Sequence, residues 1–247
     1  MSISNIALPG TALAVTNLVD YQSRIYYQDA FEFVREVQDT SGDYTIDASP
    51  IIQAAFDSPL ATISWQDGDE VRPELLSSVI ICLFFFFEIR LYLADEDNIL
   101  QEYGWSIDTP SWTRAVGLGD LQVKVGSSTH LAAIRFIDSQ GTHIRVYCQG
   151  LCPGLLSYKT YLIIPDSNNN IIEVSYEPET AKWTGPGVLP IGTPSLSGSD
   201  IAAVSYFDND ADNTLEIRVY YQGEDLSVRE LAWVGSNGWS DGKSRSS

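Results

Sequence analysis

The chain is poor in base and poor in sulfur. Against 33 Asp and Glu stand 14 Lys and Arg, a formal net charge of −19 over 247 residues, and only four of the basic residues are lysines. Neutralising a phosphate backbone takes clustered Lys and Arg, so nucleic acid and anionic membrane are poor partners for this composition. Three cysteines, Cys82, Cys148 and Cys152, are too few for a disulfide framework and lack the paired spacing of a zinc site. No hydrophobic run approaches the roughly 20 residues of a membrane span; the most apolar stretch is Val79 to Phe87. The opening MSISNIALPGTALAV has no Lys or Arg ahead of its apolar patches and does not read as a secretory signal. The expectation is a cytoplasmic protein, or one exported by a non-classical route. No cofactor is expected, and with two histidines, no phosphate loop and no G-x-S-x-G elbow the chain does not read as an enzyme.

What the chain does have is aromatics, with 13 Tyr and 6 Trp, together with 18 Gly and 11 Pro. Hydrophobic residues make up 44% and charged ones 19%, on the folded side of the composition boundary. This mixture favours strands and tight turns, hence an all-β fold.

The sequence repeats. SRIYYQ, EIRLYL, HIRVYCQ and EIRVYYQ place Arg24, Arg90, Arg145 and Arg218 in register. Twelve residues after three of them stands a glutamate, pairing Arg24 with Glu36, Arg90 with Glu102 and Arg218 with Glu230; for Arg145 the match is Glu173, 28 on. An aromatic follows the glutamate by three at Trp105, Tyr176 and Trp233, and a second comes nine or ten after it at Trp112, Trp183 and Trp239. The first copy is degenerate, with Asp39 and Ile46 at those places. Turn residues midway between arginine and glutamate predict a hairpin that sets the two directly across from each other on one face, with Cβ atoms roughly 5 Å apart. Small repeated sheets, each with a tryptophan, predict a β-propeller of about four blades, over approximately 10–55, 56–125, 126–195 and 196–247.

Two stretches interrupt the pattern, residues 71–88 and 150–165. Removing the second brings Glu173 to twelve after Arg145, and removing the first joins ISWQDGDE to IRLYLADEDN. Both read as retained introns translated in frame: a valine codon begins GT, a glutamate codon can end AG, and consecutive phenylalanines are what a pyrimidine tract encodes. Genuine loop insertions at inter-strand turns are the alternative.

The units L-A-x-x-S-W and I-R-V-Y-x-Q, the glutamate twelve on and the tryptophans beyond resemble the fungal fucose-specific lectins of the Aleuria aurantia lectin type. The resemblance covers nearly all of residues 10–240 outside the interruptions. It implies a six-bladed propeller, here with about four blades, and multivalent, non-catalytic binding of L-fucose between adjacent blades, with fucosylated glycans and glycoproteins as partners. Carried over residue by residue, site one uses Arg24, Glu36 and Trp112; site two Arg90, Glu102, Trp105 and Trp183; site three Arg145, Glu173, Tyr176 and Trp239; a fourth half-site uses Arg218, Glu230 and Trp233. Closure of four blades, a homodimer and an unfolded chain stay open.

The chemistry suits a sugar independently. Arginine presents N–H donors, glutamate presents acceptors, and an aromatic covers an apolar C–H face. A protein-binding propeller is one rival, though it has no need of the Arg/Glu/aromatic set. A glycosidase is another: it needs two carboxylates, one held protonated, whereas a glutamate facing an arginine is expected to stay ionised. His143 reads as a rim or structural residue, and the Asp208–Asp212 run, lacking a glutamate at its twelfth position, reads as an acidic turn rather than a metal loop.

Overall fold

A computed structural model describes residues 7–17, 22–40, 43–47, 49–67, 86–125, 129–149, 169–192, 194–208 and 214–241. Within them the chain folds into four antiparallel sheets taken in sequence order, each with its strands side by side as they occur along the chain. The first consists of β1 (Ala14–Asn17), β2 (Gln22–Gln28), β3 (Phe33–Thr40) and β4 (Asp43–Ile46), with the short β5 (Ile52–Gln53) pairing back on β3. The second is β6 (Leu60–Asp67), β7 (Phe86–Ala94), β8 (Leu100–Ser106) and β9 (Thr109–Arg114). The third is β10 (Leu131–Asp138), β11 (Gly141–Gln149), β12 (Ile171–Glu177) and β13 (Lys182–Val188). The fourth is β14 (Ile201–Asp208), β15 (Thr214–Gln222), β16 (Val228–Val234) and β17 (Trp239–Asp241).

The innermost strands meet in succession: β6 packs against β1 on one side and β10 on the other, and β10 packs against β14. Four blades are thereby ranged about a common axis, as a β-propeller. Because blades cover one another on both faces, a middle strand such as β11 is buried at alternate and adjacent positions alike, polar residues such as His143 and Gln149 included. The outermost strands β4 and β9 are largely exposed, and they mix Thr, Ser, Asp, Pro and Arg with the aromatics Tyr44 and Trp112.

The cores lie between blades. Tyr26, Ile89, Leu91, Leu93 and Tyr103 join blades 1 and 2; Tyr92, Leu100, Ile144, Val146, Val174 and Trp183 join blades 2 and 3; Tyr147, Ile217, Val219, Tyr221 and Leu231 join blades 3 and 4. Tyr26, Tyr92 and Tyr147, each two residues after a repeat arginine, are wholly buried. A side chain of that size contributes roughly 1.5–3 kcal/mol on burial.

The glutamine four residues after the arginine latches consecutive blades. Gln28 Nε2 donates to the carbonyl of Ala55 at 2.7 Å and its Oε1 accepts from the Ser58 amide at 3.1 Å, both in the segment that leads into blade 2. Gln149 repeats the arrangement, donating to Leu196 at 2.7 Å and accepting from Gly198 at 2.9 Å.

Of the first interruption, Phe86, Phe87 and Glu88 belong to β7 and pair with Asp67, Gln66 and Trp65, so the strand begins three residues before the boundary expected at Ile89. The rest of that stretch, the whole of 150–165, Cys82, Cys152 and residues 209–213 of the acidic turn lie outside the described residues. Cys148 is buried in β11. Among the described residues no group of three or more His, Cys, Asp and Glu could hold a metal, and no helix is long and apolar enough to cross a membrane.

Candidate functional site between blades

Each repeat arginine sits on the second strand of its blade and its glutamate on the third, but the two are not directly opposite as the hairpin arithmetic predicts. Arg24 faces Gln38, Arg90 faces Gly104, Arg145 faces Ser175 and Arg218 faces Ala232. The residues opposite Glu36, Glu102, Glu173 and Glu230 are Tyr26, Tyr92, Tyr147 and Tyr220. In blades 1, 2 and 4 the turn is centred seven residues after the arginine, one later than expected. Arginine and glutamate are therefore diagonal neighbours on the same face, a spacing that long side chains bridge.

In the gap between blades 1 and 2, Arg24 Nη1 lies 3.0 Å from Glu36 Oε1, and the Tyr26 hydroxyl donates to Glu36 Oε2 at 3.1 Å. Blade 2 closes this gap with Trp105, whose ring lies 5.8 Å from the Arg24 guanidinium carbon, and with Trp112, edge-on to Tyr26 at 5.7 Å.

Between blades 2 and 3 the arrangement is most complete. Arg90 Nε lies 3.2 Å from Glu102 Oε1, and its Nη1 is 2.6 Å from Glu88, a residue on the same strand. From blade 3, Trp183 donates its indole N–H to Glu102 Oε2 at 3.0 Å, and Tyr176 packs against Trp183 at 5.8 Å. Trp65 of β6 lies beside Arg90, 5.2 Å from its guanidinium carbon. These side chains line a cavity of about 650 Å³, together with Arg114 and Thr142. Gly104 makes room for the arginine, since a Cβ there would stand 2.7 Å from Arg90 Nη1.

Between blades 3 and 4 the pairing changes. Arg145 Nη2 meets Glu177, not Glu173, at 2.9 Å, while Glu173 is approached by Tyr147 and accepts from Ser175 Oγ at 3.4 Å. Blade 4 supplies Trp239, edge-on to Tyr147 at 6.0 Å, and Trp233 beside it at 5.9 Å. On the far side of blade 4, Arg218 Nη1 is 3.9 Å from Glu230 and also pairs with Glu216. No blade follows among the described residues.

The structure regroups two aromatics. Trp105 was expected beside Arg90 and Tyr176 beside Arg145; each instead faces the preceding blade, toward Arg24 and Glu102 respectively. Strand parity is the reason. Residues three apart on a strand point to opposite faces, so an aromatic three after a glutamate cannot share its face. Trp233 likewise turns toward blade 3 rather than Arg218. Trp112, Trp183 and Trp239 do meet the preceding blade as expected.

The sequence reading also missed several residues. The buried tyrosines that brace the glutamates are one set, and Glu88 and Glu216, each two before an arginine, are another. Tyr44 is a third: it pairs with Asp39 as Trp183 pairs with Tyr176 and Trp239 with Trp233, so it occupies in blade 1 the place assigned to Ile46. Counting along the chain missed it because the spans differ: Tyr44 stands five after Asp39, whereas Trp183 stands seven after Tyr176 and Trp239 six after Trp233.

Burial reverses the electrostatic expectation. The carboxyls of Glu102 and Glu173 are pushed above the usual carboxylate range, because desolvation outweighs the nearby arginines and the hydrogen bonds from Trp183 to Glu102 and from Ser175 to Glu173. Glu102 nonetheless has both oxygens engaged, one by Arg90 and one by Trp183, which fixes it as an oriented acceptor rather than a free acid.

Sheets of four strands about an axis, with an arginine, a glutamate and next-blade aromatics converging in each gap, define a β-propeller with repeated inter-blade sites. The model of the fungal fucose-specific lectin family matches residues 76–243, and the chain belongs to that family. It is 29% identical over 224 residues to the fucose-specific lectin of Aleuria aurantia, an alignment covering 88% of this chain and 57% of that protein. To the fucose-specific lectin of Aspergillus fumigatus it is 27% identical over 233 residues, covering 93% and 59%. The chain thus spans about three-fifths of the length of these curated relatives. Among solved structures, the Aleuria aurantia lectin superposes with a TM-score of 0.71 at 27% identity, covering 98% of this chain and 66% of that one, and it is described as a six-bladed β-propeller. A variant of the same lectin, solved with Fucα1-6GlcNAc, gives a TM-score of 0.71 at the same identity and coverage.

Proposed function

We propose that this chain binds L-fucose at the ends of glycans, without chemical change, in the gaps between consecutive blades. The observation that carries this is the clasp of Glu102: one oxygen held by Arg90 of its own blade and the other by Trp183 of the next. A guanidinium and an oriented carboxylate on one wall offer donors and acceptors to neighbouring ring hydroxyls, and Tyr176 and Trp183 on the other wall cover an apolar face such as the methyl of a 6-deoxy sugar. The likeness to fucose-specific lectins, one solved with Fucα1-6GlcNAc, supports fucose as the sugar.

In this reading Arg24, Glu36, Trp105 and Trp112 form the first site; Arg90, Glu102, Tyr176 and Trp183 the second; and Arg145, Glu173, Trp233 and Trp239 the third. Arg218 and Glu230 form half of a fourth. Several sites on one rigid body raise avidity for fucosylated glycoproteins and for surfaces dense in the sugar. Calorimetric titration with α-methyl-L-fucoside, against α-methyl-D-mannoside as control, tests the assignment. Saturable heat with the fucoside alone, abolished site by site in Arg24→Ala, Arg90→Ala and Arg145→Ala, is the expected result. Equal heats for both sugars, or none for either, would overturn it.

A further inference from the structure

Each blade has two unlike faces. One carries the arginine and the glutamate and packs against the blade that follows; the other carries the aromatics and packs against the blade before. This junction is built three times, between blades 1 and 2, 2 and 3, and 3 and 4. Among the described residues blade 4 has no blade after it and blade 1 none before it.

Both outer faces keep the character of the covered ones. Leu60, Leu131 and Ile201, each preceding the alanine that opens an inner strand, are buried against the preceding blade; their counterpart in blade 1, Leu13, is 67% exposed, and Val15 beyond it 57%. Trp183 is buried on the outermost strand of blade 3, whereas Tyr44, which holds that place in blade 1, is 65% exposed. At the other end, Ile63 and Ile134, each opposite its repeat arginine, are buried beneath the following blade, whereas Val204, opposite Arg218, is 48% exposed. The half-site on blade 4 is nonetheless assembled. Tyr206 flanks Arg218, donating to Glu216 at 2.7 Å and accepting from Arg218 Nε at 3.3 Å, in the place where Trp65 flanks Arg90 and Phe136 flanks Arg145.

We propose that the outer face of blade 4 docks onto the outer face of blade 1 in a second copy of this chain, and that the partner's Tyr44 completes the fourth sugar site around Arg218 and Glu230. The docking rests on packing; the fourth site rests on the fucose-binding reading above.

The three junctions within the chain set the pairing, since the arginine face meets the aromatic face each time and never its own kind. A second copy offers the matching face from the other end of the same sequence. The contact is heterologous, blade 4 of one copy to blade 1 of the next, and therefore differs from a two-fold interface in which one patch meets itself. It covers Leu13, Val15 and Val204 as their counterparts are covered. Tyr44 then stands toward Arg218 and Glu230 as Trp183 stands toward Arg90 and Glu102, with a ring for the apolar side of the sugar and a hydroxyl where Trp183 gives Glu102 an indole N–H.

Mass measurements on the full chain test the docking without sugar. Sedimentation over about a hundredfold range of concentration is expected to show particles of more than one chain, dissociating on dilution. Val204→Glu puts a charge on the blade 4 face and Leu13→Glu one on the blade 1 face. Each variant alone is expected to stay a single chain, with fucoside binding at the first three sites showing that it folds. The two mixed are expected to form pairs and nothing larger, because each supplies the face that the other has lost. A wild-type chain that stays single throughout, as it would if another part of its own sequence covered these faces, overturns the inference. Association undiminished in both variants, or a mixture that stays single, overturns it as well. The fourth site is tested by adding Arg24→Ala, Arg90→Ala and Arg145→Ala to both variants. Calorimetry with α-methyl-L-fucoside is expected to give binding in the mixture and none in either chain alone, and Tyr44→Ala in the Val204→Glu chain to weaken that binding about tenfold. Binding by the Leu13→Glu chain alone, or affinity unmoved by Tyr44→Ala, overturns completion of the site by a second copy. If the wild-type chain binds no fucoside at any concentration, it is the fucose reading that fails, and the masses still decide the docking.

Discussion

Trp183 of blade 3 donates its indole N–H to the carboxylate of Glu102 in blade 2 at 3.0 Å, so one hydrogen bond both joins two blades and aims an acceptor into the gap between them. Trp183→Phe keeps most of the ring and deletes the donor. Leaving a buried carboxylate one donor short costs roughly 1–3 kcal/mol, and the freed oxygen no longer presents a fixed acceptor to the sugar. Urea denaturation is expected to show that loss. Calorimetry on a chain whose other arginines are replaced by alanine is expected to show fucoside affinity at the second site reduced about tenfold, since each 1.4 kcal/mol is a factor of ten. Unchanged affinity would mean that the tryptophan serves packing alone.

Gly104 leaves room for Arg90. A Cβ at this position would stand 2.7 Å from Arg90 Nη1, but the obstructed atom is the far end of a flexible side chain, and the glycine backbone is one that any residue adopts. Gly104→Ala should therefore fold while pushing the guanidinium off Glu102, at the roughly 1–3 kcal/mol that a buried carboxylate short of a donor costs. The second site should lose fucoside affinity by the same calorimetric titration. Unchanged affinity would contradict this account.

How much of this was legible in the sequence follows from strand geometry. The four arginines, the glutamates and the spacing of the tryptophans survive as a one-dimensional pattern, and with them the blade count, while the inter-blade location of the candidate sites came from the family resemblance. Which blade an aromatic serves is a matter of parity: Trp105 stands three after Glu102, and that odd offset places it on the other face, where it meets Arg24. Strand parity is itself a property of the sequence, since residues an odd number apart on a strand lie on opposite faces. Tyr44 could not be found by offset, because it stands five after Asp39 where Trp183 stands seven after Tyr176, and only the pairing with Asp39 reveals it. The raised carboxyls of Glu102 and Glu173 depend on the depth of burial between two blades, which no single repeat encodes.

The raised carboxyl of Glu102 gives stability a pH dependence of definite sign. In the unfolded chain a glutamate titrates near about 4.3; in the folded one burial holds its proton more tightly. The folded state then binds the extra proton between the two values, so this residue's contribution is greatest below the unfolded value, declines as pH rises toward the folded one, and is constant beyond it. Melting temperatures from pH 3.5 to 7 for the wild type and Glu102→Gln test this. The difference between them should fall across that window, at the wild type's expense, and a rise would show that Arg90 and Trp183 outweigh desolvation.

Gln149 is where blade 4, which has one neighbour among the described residues, is fastened to the rest. Its amide group donates to the Leu196 carbonyl at 2.7 Å and accepts from the Gly198 amide at 2.9 Å, with the hydroxyls of Ser195 and Ser199 at 3.2 and 3.3 Å. Gln149→Ala strands these polar groups in a buried junction, at a cost of about 2–3 kcal/mol. For a chain of this length that lowers the melting temperature by roughly 5–10 °C. The loss should also be local. Amide hydrogen exchange is expected to quicken in β14 to β17 and to leave β1 to β4 unchanged, because a cooperative unit held by one latch opens before those held by several. Gln28→Ala should produce the mirror image, quickening β1 to β4, since Gln28 makes the same bonds to Ala55 and Ser58. Uniform acceleration across all four blades in either variant would show that the propeller opens as one unit and that the latches do not divide it.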